Sequence, residues 1–166
     1  HLAARTARRA DVLIWIAARN RSTGATETIG FWTGDDHQDF VIDGATRTYL
    51  GAGNLLGVDP LKWRTGLTVR TQRVRLSQVS PEAQQAIRGY DTRHAPVELH
   101  RALFDAGGLL IDAPHLLMRG FVDKVTPTTP EKGGSGDVSM EIASAGRALT
   151  KPLNRYRSNA SLVARA

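Results

Sequence analysis

Asp35, Asp36, His37 and Asp39 form the densest set of metal-ligand residue types in the chain. Carboxylates with an imidazole could hold a divalent cation. The stretch lacks the Asp-x-Asp-x-Asp-Gly spacing and late Glu of a calcium loop. Adjacent aspartates between strands usually solvate a turn. A second set, His94, Glu98 and His100, offers two imidazoles and a carboxylate. Strand alternation puts Glu98 and His100 on one face. No His-Glu-x-x-His helix or second ligand cluster accompanies them, so the favoured reading is polar residues on a sheet face.

Catalysis leaves fewer traces. Glycan hydrolysis needs two carboxylates, and Asp35 or Asp36 with Glu98 is the pair on offer. No Gly-x-Ser-x-Gly elbow, phosphate loop or dinucleotide fingerprint occurs. Gly51-Ala52-Gly53 runs on to Asn54 and Pro60, not into a helix. The absence of cysteine excludes disulfides, thiolate zinc, a Cys nucleophile and Cys-ligated iron–sulfur clusters. The expectation is a non-enzyme with no catalytic, cofactor-binding or metal residues.

The 166 residues carry a net charge of +6, and the sequence pI is near 10.3. The excess is unevenly placed. Residues 1–10 hold Arg5, Arg8 and Arg9 and no acid, and residues 147–166 hold five cations, Lys151, Arg155 and Arg157 among them, and no acid. The 136 residues between them sum to −2. Basic ends on a near-neutral body read as interaction arms. Their cations are interface candidates, as is the pair Trp63 and Arg64, since Trp and Arg are enriched at binding hot spots. No stretch approaches the roughly 20 apolar residues of a membrane helix, and no signal peptide is recognisable. The chain opens on His1, which suggests a trimmed or partial product.

Positioning these groups falls mainly to strands. Residues 1–10 suit a short helix. Val12 to Ala17 is apolar on both faces and reads as a buried strand with Trp15 in the core. Thr26 to Thr33 follows as a strand. Phe40 to Ile42 and Thr46 to Leu50 flank Asp43-Gly44, the turn pair of a tight hairpin. Gly51 to Pro60 reads as irregular, and Leu67 to Val79 as a strand with Val74 and Leu76 on one face. Ser80, Pro81 and Glu82 start a helix with Ala83, Ile87 and Tyr90 on one side, ended by Gly89. Strands are then expected at Ala95–Phe104, at Leu109–Ile111, at Leu116–Val125 with a bend at Gly120, and at Val138–Ser144. Pro127 to Gly136 reads as a flexible loop, and Ala145 to Leu149 suits a short helix. Eight or so strands with Gly/Asp turns predict a mainly β, antiparallel barrel or sandwich over residues 11–146, between arms at 1–10 and 147–166.

The order of several segments is distinctive. Gly66-Leu67-Thr68-Val69-Arg70 precedes Val74-Arg75-Leu76-Ser77, then Val79-Ser80-Pro81-Glu82 and Ile87-Arg88-Gly89-Tyr90-Asp91. Ala95-Pro96-Val97-Glu98-Leu99-His100-Arg101-Ala102 comes next. Leu117-Met118-Arg119-Gly120-Phe121-Val122-Asp123, Met140-Glu141-Ile142-Ala143-Ser144 and Arg147-Ala148-Leu149 complete the series. Over most of residues 11–158 this order resembles the tail-tip or baseplate hub proteins of long-tailed bacteriophages. It is similar to the minor tail protein L type of lambda-like phages and to hubs of phage-like gene transfer agents.

The resemblance implies a virion protein, made in the host cytoplasm, that forms a homotrimeric ring. The implied partners are a distal tail protein, a second hub or central spike or fibre protein, and the tape-measure protein. DNA would pass transiently through the channel during ejection, and no membrane is implied. The lambda-type hub has a cysteine-bearing C-terminal part that binds an iron–sulfur cluster. That part cannot exist here in the same form. The final segment Asn159 to Ala166 reads as interrupted. Alternatives are a sixfold distal tail or tube protein and a nucleic-acid-binding β-barrel. For the latter, Phe31, Trp32, Phe40 and Tyr49 are the only aromatics close enough in sequence to stack bases.

Overall fold

A computed structural model describes residues 9–60, 71–77, 84, 88–128 and 136–145. They form ten strands: β1 (Arg9–Asn20), β2 (Thr26–Trp32), β3 (Gln38–Ile42), β4 (Ala45–Tyr49), β5 (Leu55–Val58), β6 (Thr71–Ser77), β7 (Tyr90–Asp91), β8 (Pro96–Phe104), β9 (His115–Pro127) and β10 (Asp137–Ser144). The main sheet runs β2-β1-β8-β9-β10-β6-β5, and β7 pairs with the end of β1. β3 and β4 form a separate two-stranded sheet. Every pairing between strands is antiparallel. The fold is thus mainly β and sandwich-like. It is not a closed barrel, because the end strands β2 and β5 do not pair with each other.

The two-sided apolar character of β1 has a plain cause. Ile14, Ile16 and Ala18 enter one core with Val97 and Leu99 of β8, Val74 and Leu76 of β6, and Val138, Met140 and Ile142 of β10. Leu13 and, partly, Trp15 point the other way, into a second core with Trp32, Phe40, Ile42, Tyr49, Ala102 and Phe104. A strand covered on both faces loses the alternation of a half-exposed one. The β3–β4 hairpin supplies the second cover. Its turn residues Asp43 and Gly44 have φ of 52° and 77°. Both values belong to the primed turn that matches strand twist.

β9 is the most irregular strand. Leu99 pairs with Met118 but His100 pairs with Leu116, so Leu117 is an extra residue facing β8. Glu141 pairs with Lys124 but Ile142 pairs with Val122, so Asp123 is extra facing β10. Each bulge bends the strand locally. Between them lies Gly120, where any Cβ would strike the Ala143 carbonyl oxygen. Gly120, where a bend was expected, itself stays in the ladder, paired with Val97 and Ser144, and the irregularities fall on either side of it.

Several expectations need correction. Arg9 and Ala10 are not in an arm or a helix: they begin β1 and pair with Phe104 and Leu103. Residues 55–58 are strand β5, because Leu55 has a buried slot and Leu76 to pair with. Tyr90 is in β7, not on a helix face; it pairs with Asn20, and its hydroxyl donates to Glu27 at 2.6 Å. Trp15 is only half-buried. Leu109 to Ile111 is not a strand but an exposed turn with one bridge, Phe104 to Leu110. Pro127 ends β9. Of the predicted helix, Gln84 and Arg88 are described and helical, and Gly89 is a turn. The rest of that helix, both flanks of β6 and most of the loop after Pro127 lie outside the described residues. So do the helix after Ala145 and the arms apart from Arg9 and Ala10.

Candidate functional site

The hairpin sits on the main sheet over a compact set of polar groups. Glu98, on the β8 face that looks toward the hairpin, is the hub of this set. Its carboxylate accepts from Arg47 Nη1 at 2.6 Å and from Arg119 Nε at 2.9 Å. Arg119 also reaches Asp43 in the hairpin turn, Nη2 to Oδ2 at 3.4 Å. The Arg47 guanidinium lies 5.2 Å from the centre of the Trp15 ring, a cation–π distance. Trp15 in turn contacts Tyr49, with ring centres 5.3 Å apart. One carboxylate thus joins β8, β9 and the hairpin.

Burial alone would raise the Glu98 pKa. Hydrogen bonds and charge from Arg47 and Arg119 outweigh that and hold it below the ordinary carboxylate value. A glycosidase acid needs the opposite shift, so Glu98 is fitted to be a fixed anion that clamps the hairpin. His100 stands beside it, Nε2 to Oε2 at 4.0 Å, with 2% of its side chain exposed. Burial lowers its pKa, opposed by Glu98 and assisted by Arg47. Among the described residues its Nδ1 and the Tyr49 hydroxyl find no hydrogen-bond partner. Burial also pushes the Tyr49 phenol up to about 12, although Arg47 nearby pulls the other way.

Glu98 and His100 do share a face, as alternation requires. His94 does not join them. It precedes β8 with φ of 63°, is exposed, and donates its backbone N–H to the Val122 carbonyl. The acidic loop is likewise dispersed. His37 Nδ1 accepts from the Gly51 amide at 3.2 Å, Asp39 accepts from the Thr48 hydroxyl at 2.6 Å, and the backbone carbonyl of Asp36 accepts from Trp32 Nε1 at 2.7 Å. The Asp35 side chain is almost fully exposed, 4.0 Å from Arg9. Among the described residues no three His, Asp or Glu side chains gather as a metal site would need.

Among the interface candidates only Arg9 is described, and it works inside the chain. Its Nε donates to Asp11 at 2.6 Å, and its guanidinium lies 5.8 Å from the Trp32 ring and 5.7 Å from the Phe104 ring. Asp11, itself buried, also accepts from the Thr33 hydroxyl. Arg5, Arg8, Trp63, Arg64, Lys151, Arg155 and Arg157 lie outside the described residues. Phe31, Trp32, Phe40 and Tyr49 are buried. Phe31 lies in the first core, while Trp32, Phe40 and Tyr49 pack edge-on in the second, with Trp32–Phe40 centres 5.3 Å apart and Phe40–Tyr49 centres 5.6 Å apart. They offer no face for stacking bases.

Two surface features complete the picture. One is the loop between β8 and β9, where Leu109 is 70% exposed and Leu110 and Ile111 are also exposed. Asp105 to Gly108 reads as a turn from sequence and is one, since an Asp side chain can hold a turn closed; the exposure of the three residues after it was not legible. The other is an open groove of about 430 Å³ lined by Arg21, Arg93 and Lys124. These cations come from three separate segments, which sequence spacing could not join. No protein-family model and no curated protein sequence matches this chain.

Proposed function

We propose that this chain is a structural subunit of the tail tip of a tailed phage or phage-like particle. In this reading it is a hub that joins with copies of itself in a ring between the distal tail protein and a central spike or fibre protein. The ring would line the channel through which tape-measure protein and DNA pass. The observation that carries the assembly role is the use of the polar groups. Glu98, Asp11 and Asp39 are held in contacts that tie the body together, while Leu109 to Ile111 stand out in solvent on a hydrogen-bonded loop. Contiguous exposed apolar side chains mark interaction sites or ligand grooves, and a projecting loop is no groove. The order of sequence segments supplies the phage context.

End-on imaging of particles captured through a tag on this chain tests the reading. Threefold density at the tail tip is the expected result. Sixfold density would reassign the chain to a distal tail ring or tube. A chain that co-purifies with no particle would remove the reading altogether.

A further inference from the structure

The β8–β9 loop and the basic groove lie at opposite ends of the same two strands. The loop joins the end of β8 to the start of β9. The groove is lined by Val122 to Val125 and Pro127 at the far end of β9, by Asp91 to Arg93 just before β8, and by Arg21. Strand rise places them roughly 30 Å apart, so one chain cannot bring them together.

The loop is held ready for contact. Asp105 Oδ1 accepts from the Gly107 and Leu109 amides at 2.8 and 2.9 Å. The Asp105 amide donates to the Leu109 carbonyl, and the Ile111 amide to the Leu103 carbonyl. Three apolar side chains are thus presented with little conformational freedom left to lose. Residues 102–114 carry two acids, Asp105 and Asp112, and no base. Both acids are exposed, one on each side of the apolar tip.

The groove is the complement. Val125 and Pro127 give it apolar walls, and Arg21, Arg93 and Lys124 outnumber Asp91 and Asp123. Among the described residues neither Arg93 nor Lys124 makes an ion pair.

We propose that the Leu109–Ile111 tip of one copy of this chain seats in the Arg21/Arg93/Lys124 groove of the next, apolar on apolar and acid on base. The contact rests on the reading of a ring-forming subunit and names its joint. It is heterologous, with two different patches on each chain, and such contacts close into rings when the rotation permits. The paired acids on the tip favour a basic protein groove over an anionic lipid surface, which would repel them.

Two variants of the full chain test it. Leu109→Asp spoils the tip, and Arg93→Glu spoils the groove; both positions are exposed, so the fold should survive. Light scattering should show oligomers of the unaltered chain and a single-chain mass of 18.0 kDa for each variant alone. An equimolar mixture should give a one-to-one dimer, because one intact tip still meets one intact groove. Circular dichroism of each variant confirms folding. Variants that assemble like the unaltered chain overturn the joint, as does a mixture that stays monomeric. An unaltered chain that stays monomeric at millimolar concentration overturns it too. Ring symmetry in whole particles is read separately, so the joint can fail while the hub reading stands.

Discussion

The two sides of β8 and the loop that follows it treat similar residues in opposite ways. On the strand, Phe104 and Ala102 are buried beneath the hairpin, and Glu98 is bound by two arginines. A few residues on, Leu109 is left to solvent, and Asp105 spends a side-chain oxygen on its own loop amides. The first region is closed by contacts from elsewhere in the chain. The second is closed only on itself. Burial there serves stability, while local hydrogen bonding here fixes a shape whose apolar surface is still available. The position of an apolar run is therefore a poor guide to its purpose until its cover is known.

The contrast breaks if the hairpin contributes little. Phe40→Ala should cost about 3–5 kcal/mol, read by urea unfolding, since a large aromatic leaves a cavity in a packed core. A cost below about 1 kcal/mol would mean that the hairpin opens without the rest. Glu98→Gln comes next, at about 2 kcal/mol, because Arg47 and Arg119 lose the anion they share. Coupling in a double-mutant cycle should be larger with Arg47 than with the more exposed Arg119.

A smaller effect lies in pH. Burial keeps His100 neutral in the fold, while the unfolded chain takes up its proton near pH 6.5. The unfolded state then binds more protons, so stability falls as pH drops below about 6.5, down to the folded value. The Glu98 contribution is present above its unfolded pKa of about 4.3 and is lost in stronger acid, as pH falls through its lower folded value. Thermal melts between pH 7 and pH 3 should show both phases, and His100→Leu should abolish only the first. The smallest effect sharpens the contrast most. Leu109→Ser should shift unfolding stability by no more than about 0.5 kcal/mol, checked in the same urea series. A larger loss would make the tip part of the core.

Local rules made part of this fold legible. Asp43-Gly44 announced the hairpin, Val138, Met140 and Ile142 announced β10 by alternation, and the apolar run from Val12 announced a strand covered on both faces. What depended on distant partners was not legible. Arg47 meets Glu98 across 51 positions, and Asp43 meets Arg119 across 76, and no spacing rule reaches so far. Strand β5 was hidden by its Gly/Pro-rich setting and declared itself only through its pairing with β6. The error at Leu109 to Ile111 has the same root. Its composition suits a strand, but Asp105 takes the Leu109 amide that a ladder would have used.

The place of β1 in the sheet sets an order in time. Its partner on one side, β2, follows at once, but on the other side Ile14 must wait for Leu99. A ribosome adding about 5–20 residues per second delivers that partner on the order of ten seconds later. During that interval the growing chain displays an unpaired edge beside its most apolar segment. Nascent chains meet such a hazard by holding the segment with a chaperone or by delaying collapse. A strand that ends up only one place in from the sheet edge is thus the one the cell must guard for longest.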